Sequence, residues 1–289
     1  MSTTPTTDST HTPTIGVFDS GFGGLTVLRA LVERMPRARY AFIGDTARLP
    51  YGSKSRRTIA RYAVESARFL LKEQGAEFLV IACNTASALA LDAIQDAVPV
   101  PVLGVIEPGA AAARAASQTN DVLVIATDAT VHSHAYREAC AHHGLQALEK
   151  ACPLLVPLVE EGWTGQDATG HTVTEQVIRI YLDELNAAAA AAGMKADTLV
   201  LGCTHYPLLR PLFERAVPKG MRVIDSAESA AASAAAMLNG HAVGVDPLAA
   251  ATHTEIRCFA TDSVEKFERL GSRFLGRPVG DVELVDLGG

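Results

Sequence analysis

Two similar stretches of the sequence decide the fold: Leu79–Ser87, which reads LVIACNTAS, and Leu199–Pro207, which reads LVLGCTHYP. Each begins with a short apolar run of the kind that forms a buried strand in a parallel sheet. Each run ends at a cysteine, Cys83 or Cys203, followed by residues with small or hydrogen-bonding side chains. The repetition predicts two similar half-structures, each of which presents one thiol at the carboxyl end of a strand.

On either side of these stretches, short apolar runs alternate with helical patterns. The run Thr14–Phe18, for example, leads through a turn at Gly21–Gly24 to a helical pattern over Leu25–Met35. Such alternation predicts an α/β fold with mainly parallel sheets, here in two pseudo-symmetric domains. Ligands of parallel sheets bind beyond the carboxyl ends of the strands, so we expect the active site in the cleft between the domains.

The turn Gly21–Gly24 reads GFGG and lacks the spacing of a dinucleotide-binding fingerprint. Its glycines instead predict a tight turn that exposes backbone N–H groups at the start of a helix. Such groups suit a carboxylate or a phosphate.

The composition excludes several classes of protein. The chain is 48% hydrophobic, but it contains no run of about 18 apolar residues, so we predict no membrane-spanning helix. A net charge of −7 argues against a nucleic-acid-binding protein. Residues 1–13 are rich in Ser and Thr without an apolar core, which predicts a disordered tail rather than a signal peptide.

The five cysteines are odd in number and widely spaced, and none lies in a CxxC pair: Cys83, Cys140, Cys152, Cys203 and Cys258. This usage predicts reduced thiols in a cytoplasmic protein and gives no indication of a metal site.

Polar side chains recur at or shortly after the predicted strand ends, so they can converge on one cleft. They are Asp19, Ser20, Tyr51, Gly52, Cys83, Asn84, Thr85, Thr127, Glu160, Cys203, Thr204 and His205.

One thiol on each side of a small ligand suits the inversion of a stereocentre. One thiolate removes the α-proton of an amino acid, and the opposite thiol returns a proton to the other face. The ordinary pKa of cysteine is near 8.5, and a modest local electric field shifts it toward neutral pH. Asp19 is the candidate partner of Cys83, and His205 or Glu160 that of Cys203. The remaining donors can hold the carboxylate and amino groups of the substrate: Ser20, Asn84, Thr85 and Thr204.

Five collinear stretches give the chain a specific resemblance to a known family. They are GVFDSGFGGLTVLRAL from Gly16, FIGDTARLPYGSKS from Phe42, IACNTAS from Ile81, CPLLVPLVEEG from Cys152 and LGCTHYPLL from Leu201. In these stretches the chain resembles the cofactor-independent glutamate racemases of the aspartate/glutamate racemase superfamily. One departure is Ala126-Thr127, where the family usually has Gly-Thr; the hydroxyl of Thr127 is kept.

The resemblance implies roles for particular residues. It implies acid/base thiols at Cys83 and Cys203, supported by Asp19, Glu160 and His205. It implies substrate contacts at Asp19, Ser20, Tyr51, Gly52, Asn84, Thr85, Thr127, Thr204 and His205. It also implies the interconversion of L-glutamate and D-glutamate without a cofactor or metal, in the cytoplasm, with D-glutamate feeding peptidoglycan synthesis and cell wall biogenesis.

The resemblance further implies two α/β domains. The first, residues 14–106 plus 222–289, carries Asp19 and Cys83, and the second, residues 107–221, carries Glu160 and Cys203. A homodimer is compatible with the resemblance. Some relatives with an N-terminal extension are activated by a UDP-muramoyl-alanine precursor, and the polar tail leaves this open.

Three alternatives stay open. The nearest is a sister racemase or decarboxylase that acts on aspartate, hydantoins or arylmalonates, although two cysteines disfavour the one-thiol decarboxylases. A non-catalytic ligand-binding module on a duplicated α/β fold would need neither thiol. A cysteine hydrolase with Cys203 and His205 would leave Cys83 unexplained.

Overall fold

The computed structural model describes residues 12–165, 172–238 and 254–288. The strands, in chain order, are β1 Thr14–Asp19, β2 Arg39–Gly44, β3 Phe78–Ile81, β4 Val102–Gly104, β5 Asp121–Ala126, β6 Gln146–Ala151, β7 Thr198–Gly202, β8 Arg222–Asp225, β9 Ile256–Ala260 and β10 Val282–Leu284. The α-helices are α1 Leu25–Arg34, α2 Arg56–Lys72, α3 Asn84–Leu89, α4 Leu91–Ala97, α5 Ile106–Ala116, α6 Asp128–Ser133, α7 Ala135–His142, α8 Leu155–Glu160, α9 Val173–Ala191, α10 Arg210–Ala216, α11 Ser226–Leu238 and α12 Val264–Leu275.

The strands form two sheets. The first has the order β10-β9-β2-β1-β3-β4 and the second the order β6-β5-β7-β8. All the pairings between these strands are parallel, which confirms the predicted α/β fold class. All six residues of the central strand β1 are buried, as expected for a strand whose sheet is covered by helices on both faces.

The sheets correct one bound of the predicted domains. Strand β8, Arg222–Asp225, pairs with β7 in the second sheet, so a boundary between residues 221 and 222 is wrong in this respect. The chain returns to the first sheet only at β9, which pairs with β2. The remainder of the predicted division into domains stays a prediction, and the predicted tail falls almost entirely outside the described residues.

The predicted bound between residues 106 and 107 falls at the start of a helix. Glu107, Pro108 and Gly109 lie in the first turn of α5, which begins at Ile106. Proline is tolerated there because the first N–H groups of a helix have no partner within the helix.

The C-terminal segment is anchored to the first sheet by aromatic packing. Phe267 of α12 lies edge-on to Phe22 and to Phe42, with ring centroids 5.8 and 5.9 Å apart. Burying one such side chain contributes about 1.5–3 kcal/mol. Helix α12 ends at Leu275 and is followed by Gly276, whose φ of 74° suits glycine as a helix terminator. This packing determines which side of α12 faces the second half of the molecule.

Across the three described ranges, no helix is both long enough and apolar enough to span a membrane.

Candidate active site

The loops after β1 and β7 meet at the carboxyl ends of the two sheets. Gly23 approaches the second loop so closely that a Cβ there would lie 2.2 Å from Thr204 Oγ1 and 2.5 Å from His205 Nδ1. The hydroxyl of Thr26 donates a hydrogen bond of 3.1 Å to the Thr204 carbonyl. The predicted convergence of polar residues from the two halves is therefore present at this point.

Cys83 follows β3 and is 5% exposed. Its sulfur lies 3.4 Å from Ser20 Oγ and accepts a 3.4 Å hydrogen bond from the Ala86 N–H at the start of α3. Burial and the nearby Asp19 carboxyl raise the pKa of Cys83 to about 12, against the opposing effect of these two hydrogen bonds. At neutral pH this group is a thiol that can give up a proton.

Asp19, the last residue of β1, is 1% exposed, and its Oδ2 accepts a 2.9 Å hydrogen bond from the Gly21 N–H. The glycine-rich turn, predicted to suit a carboxylate or a phosphate, therefore holds this carboxyl group of its own chain. Burial raises the pKa of Asp19, although the positive charge of His205 opposes the shift. Asp19 Oδ1 is buried and has no hydrogen-bond partner within the described ranges.

Cys203 follows β7 and belongs to a chain of three groups. The His205 imidazole lies beside the Cys203 thiol, its Nδ1 lies 3.5 Å from Thr204 Oγ1, and its Nε2 lies 3.2 Å from Glu160 Oε1. Burial alone would lower the pKa of His205, but the neighbouring Cys203 and Glu160 groups outweigh it and raise the pKa to about 10. Burial would raise the pKa of Glu160, but its hydrogen bond to His205 and the charges of His205 and Lys266 lower it. At neutral pH this group of three side chains therefore contains a His205 imidazolium beside a Glu160 carboxylate.

Asn84 follows Cys83 directly and is held by residues from other elements. Its Oδ1 accepts a 2.7 Å hydrogen bond from the Tyr136 hydroxyl of α7, and its Nδ2 lies 3.5 Å from Ser226 Oγ of α11. These contacts define which way the amide faces.

Thr85 shares a cluster of three hydroxyl groups with residues that follow β5. Its Oγ1 lies 3.0 Å from that of Thr127 and 3.2 Å from that of Thr130, which are 2.9 Å apart. The cluster crosses from the first half of the molecule to the second.

Tyr51 and Gly52 lie in the loop after β2. The buried Tyr51 hydroxyl donates a hydrogen bond to the carboxylate of Asp45, so its donor is already used within the first half of the molecule. A Cβ at Gly52 would lie 3.6 Å from Thr127 Cβ, which places the Gly52 backbone beside the hydroxyl cluster.

The sequence did not single out several residues that hold the site together: Asp45, Thr130 as part of the hydroxyl cluster, Tyr136, Ser226 and Lys266. Apart from Asp45, whose partner Tyr51 is 6 residues away in the chain, each acts through a contact between distant segments, which no local pattern encodes. Among the described residues no group of three or more His, Cys, Asp or Glu side chains is arranged to hold a metal ion.

The two parallel sheets, each ending in a buried cysteine beside a shared polar site, define an α/β racemase. The model of the Asp/Glu/hydantoin racemase family matches residues 15–234. The chain belongs to this family, and it is an enzyme.

Individual comparisons agree with this assignment. The chain is 53% identical to the glutamate racemase of Koribacter versatilis, over 97% of this chain and 100% of the relative. The crystal structure of the Francisella tularensis glutamate racemase in complex with D-glutamate matches with a TM-score of 0.82 at 34% identity, over 95% of this chain and 98% of that one. The Escherichia coli glutamate racemase, in complex with L-glutamate and the activator UDP-MurNAc-Ala, matches with a TM-score of 0.72 at 27% identity, over 96% and 100%.

Proposed function

We propose that this racemase interconverts L-glutamate and D-glutamate by a two-thiol mechanism that needs no cofactor, and that it supplies D-glutamate for peptidoglycan synthesis in the cytoplasm. The observation that carries the proposal is the pair of strand-end cysteines, Cys83 and Cys203. Each has polar neighbours, and the loops after β1 and β7, which supply some of these neighbours, are in contact with each other. The similarity to glutamate racemases supports glutamate as the substrate.

The surroundings of the two thiols suit opposite roles in one turnover. In the direction from L to D, the sulfur of Cys203 takes the α-proton, and the electron pair left on Cα is delocalised into the substrate carboxylate. Cys83 then donates its proton to the opposite face, forming the new Cα–H bond and leaving a thiolate. His205, protonated and held by Glu160, stabilises negative charge on Cys203 before the transfer. In the reverse direction the roles exchange.

The substrate's charged groups are matched by the residues around the thiols. Asp19 Oδ1, which is buried and lacks a hydrogen-bond partner among the described residues, suits the ammonium group. The hydroxyl and amide groups suit the two carboxylates of glutamate: Ser20, Asn84, Thr85, Thr127 and Thr204. Tyr51, Gly52 and His205 complete the proposed set. The engagement of the Tyr51 hydroxyl with Asp45 favours a role for Tyr51 in shaping the loop.

A homodimer stays a prediction, as does activation by a UDP-muramoyl-alanine precursor. The UDP-MurNAc-Ala that accompanies L-glutamate in the Escherichia coli complex gives the second prediction a direct test, in which racemase activity is measured with and without that compound.

The proposed function is tested by circular dichroism of L-glutamate incubated with the purified protein, without added pyridoxal phosphate and with EDTA. We expect the signal to decay to zero, since the two enantiomers have equal free energy in water. L-aspartate in a parallel sample tests the sister-racemase alternative. Retention of the L-glutamate signal, or a requirement for pyridoxal phosphate or a divalent ion, would contradict the proposal.

A further inference from the structure

The Glu160 carboxylate has two cationic partners that come from different parts of the fold. Its Oε1 faces His205 Nε2 at 3.2 Å, and its Oε2 accepts a 3.4 Å hydrogen bond from Lys266 Nζ. Glu160 ends α8 and His205 follows β7, so both belong to the half that contains the second sheet. Lys266 lies in α12, between β9 and β10 of the first sheet.

Lys266 is held by more than this ion pair. Its Nζ lies 5.4 Å from the centroid of the Phe22 ring, in the glycine-rich turn that follows Asp19 and touches Thr204. The next residue, Phe267, is fully buried against the same ring. A cation over an aromatic face is attracted by the ring, which restricts where the ammonium group can lie. The position of Lys266 is thus defined by the first half of the molecule.

Helix α12 makes a second contact with the same group of residues. The Phe274 ring lies edge-on to the His205 imidazole, with centroids 5.0 Å apart. Two residues two turns apart on one helix, Lys266 and Phe274, therefore touch consecutive members of the Cys203–His205–Glu160 chain.

We propose, building on the two-thiol function, that Lys266 is a positioning residue for the Cys203 half-reaction. Its ammonium group holds Glu160 in the orientation and charge state in which that carboxylate supports His205 beside Cys203. Lys266 has no corresponding contact with Cys83, whose polar partners are Ser20 and the Ala86 N–H. Loss of the lysine charge should therefore weaken proton transfer at one thiol and spare the other.

Racemisation rates alone do not show whether a variant weakens proton transfer at Cys203 but not at Cys83. Because L-glutamate and D-glutamate have equal free energies, kcat/KM must be the same in both directions for every variant. A substrate that expels a leaving group after losing its α-proton avoids this constraint, since each of its enantiomers needs only one thiol as base. With N-hydroxyglutamate the Cα–H and N–O bonds break, a C=N bond forms, and the hydroxide leaves as water after taking up a proton.

The test measures elimination from both enantiomers of N-hydroxyglutamate by the wild type and by Lys266→Met, Lys266→Arg and Lys219→Met. Cys203→Ser identifies which enantiomer depends on Cys203. For that enantiomer we expect Lys266→Met to lower kcat/KM about tenfold, the order of one charge-assisted hydrogen bond. Lys266→Arg, which keeps the charge, should lose about threefold or less. Lys219→Met removes the same charge from an exposed lysine and should leave both rates unchanged.

The other enantiomer, which depends on Cys83, is the internal control for folding. If Lys266→Met slows both enantiomers equally, Lys266 only stabilises the fold and the inference is overturned. The inference also fails if neither enantiomer is slowed, while the proposed function stands in both cases. If the wild type neither racemises glutamate nor eliminates from either analogue, the proposed function itself is overturned, and this inference with it.

Discussion

The Tyr136 hydroxyl, fully buried in α7, donates a 2.7 Å hydrogen bond to Asn84 Oδ1 in the loop that presents Cys83. One hydrogen bond therefore joins the second half of the molecule to the residue beside the first thiol. It also assigns the amide of Asn84, because the oxygen faces Tyr136 and the nitrogen faces Ser226. The donor group of Asn84 is thus directed away from α7.

Replacing Tyr136 with Phe should test this relationship with little change in packing. The variant leaves Asn84 Oδ1 buried without its donor, which costs about 1–3 kcal/mol of unfolding free energy. Because the amide is then free to turn, we expect KM for glutamate to rise more than kcat falls. Urea unfolding and steady-state kinetics measure the two effects. An unchanged unfolding free energy together with an unchanged KM would contradict the role given to this hydrogen bond.

The approach of Gly23 to the second half leads to a second prediction. A Cβ at this position would lie 2.2 Å from Thr204 Oγ1, so Gly23→Ala should push apart the loops after β1 and β7. We expect activity to fall by at least tenfold, because catalytic geometry tolerates only small displacements. Gly165→Ala is the matched control, since a Cβ there meets nothing within 4 Å. Equal activity of the two variants would show that the loops after β1 and β7 can move apart without loss of catalysis.

Much of this architecture is readable from the sequence because it is encoded locally. The apolar runs before Cys83 and Cys203 predict β3 and β7, and the carboxyl ends of parallel strands meet at one edge of a sheet. Local patterns fail where distant segments meet. Strand β8 resembles any short apolar run, and only its pairing with β7 assigns it to the second sheet. Lys266 is likewise one of many charged residues until the packing of Phe267 turns α12 toward Glu160.

The five cysteines should differ in their reaction with iodoacetamide. The pKa values of Cys83, Cys140, Cys152 and Cys258 are all raised to about 12, mainly by burial, which slows alkylation. Cys203 lies beside the protonated His205, and a neighbouring cation speeds the reaction of a cysteine.

We therefore expect Cys203 to be labelled first and activity to be lost in step, with glutamate slowing both processes. Peptide mass spectrometry at successive times identifies the site. Cys140, Cys152 and Cys258 should be replaceable by Ala or Ser without loss of the catalytic rate. Inactivation that followed the labelling of Cys258 would contradict the assignment of the thiols.

The pH dependence of stability should carry a contribution from His205. Its pKa of about 10 in the folded state exceeds the ordinary value of 6.5, so the folded protein binds the proton more tightly than the unfolded chain. The stabilisation is fully present below pH 6.5 and is lost as pH rises through about 10. The raised pKa values of the buried cysteines act in the same direction, but only above about pH 9.

Between pH 6.5 and 9 the unfolding free energy should consequently fall as pH rises, and His205→Gln should flatten this slope. Urea unfolding at pH 6.5, 7.5 and 8.5 gives the slope for both proteins. Equal slopes for the wild type and the variant would show that a group other than His205 binds the proton responsible for the pH dependence.

The two thiols should act on opposite faces of Cα, and the family resemblance assigns Cys203 to L-glutamate and Cys83 to D-glutamate. Serine is a far weaker acid and base at neutral pH, so either Cys→Ser variant should lose racemisation by orders of magnitude in both directions. Elimination from N-hydroxyglutamate separates the faces because it needs one base. With the L form, Cys83→Ser should retain turnover and Cys203→Ser should lose it, and with the D form the pattern should reverse. Equal elimination of both enantiomers by both variants would refute the two-thiol mechanism. A swapped pattern would leave the mechanism intact and exchange the faces, placing the imidazolium of His205 beside the base that acts on D-glutamate.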